Sequence, residues 1–190
     1  MNILVTGAKG FVGKNLVQTL KTIRDGKNRT HELSIGEIFE YDLDTDPAML
    51  DVFCEKADFV FHLAGVNRPK DQSEFMAGNF GFTSTLLDAL KRKGNTCPVM
   101  LSSSIQATLI GRYGQSDYGR SKLAGEELFF AYAQRPALRC WCTVSPTCSA
   151  SGAAPTITLR WQPSATIRPM ICPLRSMTRQ WNWNFSTSTI

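Results

Sequence analysis

Tyr118 and Lys122 stand four residues apart. On a helix that spacing places both on one face, one turn apart. A free tyrosine, with a pKa of about 10, is a poor acid or base at neutral pH. An ammonium one turn away favours the tyrosinate and brings the phenol toward the working range. Ser104 closes the run Ser102-Ser103-Ser104, fourteen residues before Tyr118. A serine hydroxyl held opposite the phenol can hydrogen-bond a carbonyl or alkoxide oxygen. The three residues read as machinery that moves a proton while a carbonyl and an alcohol interconvert. A tyrosine and lysine at this spacing are common by chance, so the reading depends on the elements that must position them.

Those elements have the required order. Pro98 to Leu101 is a short apolar run, a buried strand that ends on the three serines. Leu123, Ala124, Leu128 and Phe129 follow Tyr118 at helical spacing. At the start of the chain, Asn2 to Thr6 predicts a buried strand, and Gly7-Ala8-Lys9-Gly10-Phe11-Val12-Gly13 follows at once. A helix with Phe11, Leu16, Val17, Leu20 and Ile23 on one face comes next. Strand, glycine turn and helix in that order make a phosphate cradle. Gly7 allows the tight turn, Gly10 lets backbone approach a pyrophosphate, and Gly13 lets the helix pack close to the strand. Lys9, Phe11 and Val12 complete the turn, and the helix N-terminus offers free N–H groups and a positive dipole end. With a nicotinamide dinucleotide there, hydride passes between nicotinamide C4 and the carbinol carbon while Tyr118 handles the proton.

Between these ends lie the remaining sheet elements. Glu37 to Tyr41 reads as the second strand and ends in Asp42-Leu43. An acid there bonds the adenosine ribose and favours NAD over NADP. The alternative is a solvated turn, because Asp42, Asp44 and Asp46 alternate before Pro47. Pro47 to Lys56 reads as a short helix. Asp58 to Gly65 reads as a buried parallel strand entering a tight loop at Leu63, Ala64 and Gly65. His62 is expected as a packed strand residue rather than a catalyst, and Arg68 as a surface residue. Asn79 is expected to begin a helix with Phe80, Thr83, Leu86, Leu87 and Leu90 on one face.

The glycine turn, with its G-x-x-G-x-x-G spacing, resembles that of the extended short-chain dehydrogenases/reductases, the NAD-dependent epimerase/dehydratase family. The segments HLAGVNRP, GNFGFTSTLLDAL, LSSSIQAT and YGRSKLAGEELF resemble the N-terminal reductase domain of CapF-type capsular-polysaccharide enzymes. The resemblance covers residues 1 to about 134. It implies reduction of a UDP-linked 4-keto deoxy amino sugar, with NADP(H) favoured and NAD not excluded. Epimerases and 4,6-dehydratases share the same three catalytic residues, and a non-catalytic dinucleotide-binding protein is a third reading. By the resemblance, Ser104 matches the catalytic hydroxyl and Tyr118 and Lys122 the acid–base pair. The dinucleotide is expected against Gly7, Lys9, Gly10, Phe11, Val12, Gly13, Asp42, Leu43, Leu63, Ala64, Gly65, Asn79, Tyr118 and Lys122. Asn79 matches an asparagine that orders the active site, although Phe82 stands where the pattern usually has glycine. Asp42 sits awkwardly with NADP. Family members are often homodimers, and the full-length relatives carry a zinc-binding cupin domain of which these residues show no part.

Composition divides the chain at Glu127. All 16 acidic residues lie at or before it, while all four tryptophans and four of the six cysteines come after it. The first 127 residues carry a net charge of −1 and the last 63 carry +6, so the overall +5 does not argue for nucleic acid. No apolar run is long enough to span a bilayer, and the glycine turn follows the first residues directly rather than a signal peptide. A cytoplasmic protein is expected. Cys140-Trp141-Cys142 lacks a second pair at zinc-ligand spacing, so no metal is expected.

The tail has a further property. Taking the third base of each codon with the first two of the next, the codons of Leu138 to Ala165 permit KVLVYRFPNLFGKWCRPNYNSAVATFC. Gln180 to Ile190 permit VELEFLYIDD in the same frame. The first begins as a strand followed by RFPN, which resembles the family's R-x-x-N segment; the second resembles a later strand with its acidic end. The expectation is a one-base frameshift near Gln134–Ala137. The rival is a basic tail that binds an anionic partner. The predicted architecture is α/β: a Rossmann-type, doubly wound parallel sheet over residues 1–135, truncated, with an irregular, poorly ordered tail over 136–190.

Overall fold

A computed structural model describes residues 1–27 and 33–134, together with the backbone of 140–145 and 158–160. Strand β1 (Ile3–Thr6) is buried along its whole length, as is β3 (Phe59–His62). Both are runs of aliphatic, aromatic and β-branched residues with no polar alternation, the pattern of strands covered on both faces. With β2 (Ile38–Tyr41), β4 (Val99–Ser104), β5 (Cys140–Ser145) and β6 (Thr158–Arg160) they form one sheet in the order β2-β1-β3-β4-β5-β6. The pairs from β2 to β5 are parallel, and β6 runs antiparallel to β5.

The helices cover both faces. Helix α1 (Phe11–Arg24) lays Val17, Leu20 and Ile23 on one face with Ile3, Val5, Phe59 and Phe61. Helices α2 (Ala48–Lys56), α4 (Phe82–Arg92) and α5 (Asp117–Ala133) pack on the other, against Leu4, Val60, Val99 and Leu101. Successive strand residues point to opposite faces, so β1 splits its side chains between the two cores. Helix α1 begins without a side-chain cap, and tertiary packing of its apolar face holds it; at α2, Asp46 Oδ1 accepts Ala48 N and Asn95 Nδ2 donates to Cys54 O and Ala57 O. Strands β2 and β3 flank β1 on opposite sides. The chain therefore reverses its progress across the sheet at β1, and the crevice beyond the carboxyl ends of β1 and β3 is a topological switch point.

The fold class follows the sequence reading, and β4 ends on the three serines as expected; three details differ. Phe11 does not join the apolar face of α1; it is 79% exposed at the mouth of the glycine turn. Asn79 does not begin a helix. It lies inside a π-helical segment, Met76–Gly81, between the short α3 (Ser73–Phe75) and α4. Where the tail was expected to form little regular structure, β5 pairs with β4 from Val99↔Cys140 to Ser104↔Ser145. Apart from β6, which pairs with β5, the rest of the tail, including the second shifted-frame segment at 180–190, lies outside the described residues.

Candidate active site

The glycine turn closes on itself. Gly7 adopts φ +71°, and a side chain there would meet Ala64 N at 2.7 Å. At Gly13 a Cβ would lie 2.1 Å from Gly7 O, so the first turn of α1 can sit on the loop only without one. Gly10 N donates to Gly7 O at 3.1 Å, and Gly7 N donates to Tyr41 O at 2.9 Å. The first turn of α1 leaves backbone N–H groups without helical partners, pointing into the crevice end of the sheet. No acidic residue occupies that turn, so nothing on the helix competes with an anion there. A close-packed backbone cradle at a helix N-terminus fits a dinucleotide pyrophosphate.

Asp42 sits at the end of β2 and is already engaged. Its Oδ2 accepts Lys9 N at 2.7 Å and its Oδ1 accepts Leu43 N at 2.8 Å. Its own N–H donates to Thr45 Oγ1 at 3.0 Å, which makes it the first residue of a turn. Asp42 is thus a turn residue, as one of its two sequence readings has it, and its carboxylate bonds the backbone of the glycine loop. The Lys9 ammonium pairs with Asp44 across the same rim, with both side chains largely exposed; that pairing raises the lysine and lowers the carboxyl. Leu43 is fully exposed and Val12 is 46% exposed. With Phe11 they are exposed apolar residues on the glycine turn and the end of β2, left uncovered among the described residues.

The loop after β3 forms the far wall. Leu63 N donates to Thr6 O at 3.1 Å and Ala64 N to Thr6 Oγ1 at 3.4 Å. A side chain on Gly65 would meet Asn79 Oδ1 at 2.6 Å and Lys122 Nζ at 2.8 Å. Gly65 is therefore where the loop, the π-helical segment and α5 come together. Asn79 is buried there, and its amide holds Val66 from both sides, accepting Val66 N and donating to Val66 O at 3.0 Å each. A π-helical segment is a frequent mark of a functional position.

Tyr118 and Lys122 stand on the first turns of α5, which Ser116 caps by accepting Gly119 N at 2.9 Å. Gly119 packs so tightly on Gln106 that a Cβ there would lie 2.3 Å from its carbonyl oxygen. The helix start is thus pinned to the segment that follows Ser104. Lys122 Nζ donates to Ser102 O at 3.3 Å and lies 5.9 Å from the Tyr118 ring centre. The Tyr118 ring also meets Phe75 at 5.6 Å, tilted by 59°. Ser104 is buried, and its Oγ accepts Gln106 N at 3.3 Å. Ser103 Oγ is buried with no partner among the described residues.

The sheet thus brings the glycine turn, the Leu63–Gly65 loop, Asn79, Tyr118 and Lys122 around one crevice, with Ser104 at the end of the adjoining strand. Three polar residues in this assembly carry no role in the sequence reading: Thr6, Thr83 and Ser121. Thr83 was placed only on an apolar helix face, and its spacing among leucines was the one signal it offered. His62 was expected to be packed; it is buried with both ring nitrogens hydrogen-bonded. Arg68 is exposed, as expected.

Residues 3–154 match the NAD dependent epimerase/dehydratase family. A UDP-2-acetamido-2,6-beta-L-arabino-hexul-4-ose reductase from Pseudomonas aeruginosa is 40% identical over 130 residues, which is 67% of this chain and 30% of that protein. The crystal structure of the capsular polysaccharide assembling protein CapF from Staphylococcus aureus superposes with a TM-score of 0.57 at 41% identity, over 75% of this chain and 34% of CapF. A short-chain dehydrogenase/reductase superfamily protein from Agrobacterium tumefaciens, solved with bound NAD, superposes with a TM-score of 0.59 at 26% identity, over 75% of this chain and 48% of its own. The chain thus spans about a third of the curated relative it matches. With a switch-point crevice, a glycine cradle and a Tyr–Lys helix over most of its described residues, this chain belongs to the NAD dependent epimerase/dehydratase family.

Proposed function

We propose that the fold serves an NAD(P)-dependent reduction of a UDP-linked 4-keto deoxy amino sugar for surface polysaccharide synthesis. The observation that carries this reading is the convergence on Gly65: the loop beside the glycine turn, Asn79 and Lys122 all meet there, with Tyr118 one turn away on the same helix. The reductase relative at 40% identity supports the reaction and the sugar class. A dinucleotide, held by Gly7, Lys9, Gly10, Phe11, Val12 and Gly13 and flanked by Asp42, Leu43, Leu63, Ala64 and Gly65, supplies hydride when bound. Tyr118 delivers the proton to the carbonyl oxygen, Ser104 hydrogen-bonds that oxygen, and Lys122 favours the tyrosinate that remains.

We also infer that one base was lost near Gln134–Ala137. The slot beside β4 is filled directly after α5 by Cys140–Ser145. In the shifted frame the codons of Arg139 to Ser145 permit VLVYRF, a strand of the kind that slot takes. On this reading the dinucleotide half is intact and the substrate half is encoded out of frame.

One experiment tests both inferences. The gene as it stands and a gene with one base inserted at codons 134–137 are expressed, and NAD(P)H oxidation is followed with a UDP-4-keto sugar. Turnover is expected from the repaired gene and dinucleotide binding alone from the unrepaired one. Tyr118→Phe in the repaired chain should lower kcat by about 100- to 10,000-fold with binding retained. Full turnover by Tyr118→Phe would remove the assigned chemistry. Codons 138–147 that fail to spell KVLVYRFPN one frame over would remove the frameshift. Turnover without net NAD(P)H consumption would favour an epimerase or dehydratase.

A further inference from the structure

His62 lies at the carboxyl end of β3, 1% exposed. Its Nδ1 is 2.7 Å from Thr6 Oγ1 and its Nε2 is 2.9 Å from Thr83 Oγ1. The direction of each bond follows from its neighbour. Thr83 Oγ1 gives its one proton to Asn79 O, 2.6 Å away, and a carbonyl can only accept. Thr83 must then accept from His62, so the imidazole proton is on Nε2. The remaining lone pair on Nδ1 accepts the Thr6 hydroxyl, and Thr6 Oγ1 accepts the Ala64 N–H. Burial, and after it the Lys122 ammonium, push the imidazole pKa down to about 3, so the ring is neutral at physiological pH.

Beyond Thr83 the network reaches the catalytic helix. Asn79 Nδ2 donates to Ser121 Oγ at 2.9 Å, and Ser121 Oγ donates to Tyr118 O at 2.8 Å. At the other end Thr6 directly precedes Gly7. The buried donors and acceptors along this path are all paired, the condition under which a polar network fixes a single arrangement. A histidine kept only for its shape does not require two bonds of fixed direction.

We propose that His62 is a positioning residue which, as the neutral Nε2–H tautomer, ties the phosphate turn to α5 through Thr6, Thr83 and Asn79 and so sets the Ala64–Val66 loop between them. The reaction that loop serves rests on the proposed reductase reading; the tie itself does not.

The test uses the full chain and no turnover. Nitrogen-15 NMR of the imidazoles, with His62 assigned through a His31→Asn variant, should show a neutral ring protonated on Nε2. Thr83→Val removes the hydroxyl at nearly constant shape. It should speed amide exchange at Ala64, Val66 and Lys122 by about tenfold, as expected for loss of a buried hydrogen bond, and leave Leu4 and Val60 unchanged. NADH affinity, read by fluorescence titration, should weaken several-fold, and Thr83→Ser should restore both readouts. An imidazolium or an Nδ1–H tautomer in the parent chain would overturn the proposal. So would a Thr83→Val variant whose exchange matches the parent or rises uniformly. Failure of the reductase reading would appear only in turnover and would leave these readouts in place.

Discussion

Because His62 is held neutral in the fold, its titration is displaced into the unfolded chain. The folded pKa of about 3 lies below the ordinary 6.5, so between these values the unfolded state binds the extra proton. The stability is fully present above pH 6.5 and is lost as pH falls toward 3, by at most about 1.4 kcal/mol per pH unit. Asp44, Asp71 and Asp88 have lowered carboxyl pKa values and contribute with the same sign, but only below their ordinary 3.8. Urea unfolding at pH 7 and pH 5 should therefore show a weaker parent chain at pH 5, and His62→Gln should flatten that difference. Equal parent stabilities at the two pH values would contradict this account. Very little of it was visible in the residue pattern. His62 reads as one more member of a buried strand, because its partners Thr6 and Thr83 lie 56 and 21 residues away. Tyr118 and Lys122 were legible because their relation is local, a single helical turn.

Among the elements, the glycine turn and α1 show how backbone space is used. Gly13→Ala should be among the most damaging single changes, since its Cβ would fall 2.1 Å from Gly7 O and 2.8 Å from the Ala8 backbone. The clash is with backbone, which cannot rotate aside as a flexible side chain can. The expected outcome is loss of dinucleotide binding by calorimetry and a lower unfolding midpoint. Gly26→Ala, at φ +69° with no atom of the described residues within 4 Å of its would-be Cβ, should cost only modest strain and leave binding intact. If the two variants bind equally, the packing explanation is wrong. Spacing alone revealed that turn because its three glycines fall within seven residues. The π-helical segment at Met76–Gly81 was not legible, since an extra residue in a helical turn leaves the apolar spacing of α4 untouched. Phe11 was misplaced for a related reason: apolar periodicity cannot distinguish a core face from a crevice rim.

At the scale of the whole molecule the chain consists of two unlike parts. The parallel order of β1 to β4 was foreseeable, because each buried strand is followed by a helical pattern before the next. The change in composition was visible too, because every acidic residue lies at or before Glu127. Strand β5 was not, since Cys140–Ser145 shows neither clean alternation nor a wholly apolar run. If that strand stands in for the shifted-frame VLVYRF, inserting the lost base should raise the urea midpoint, because an aliphatic strand buries more apolar surface beside β4 than this one. An unchanged or lower midpoint would count against the substitution. The six paired positions between β4 and β5 also bear on how long such a product lasts. Without β5, the edge of Val99–Ser104 would stand open as a template for other chains, the usual start of clumping and clearance. Paired with β5 along its whole length, that edge is closed to such templating.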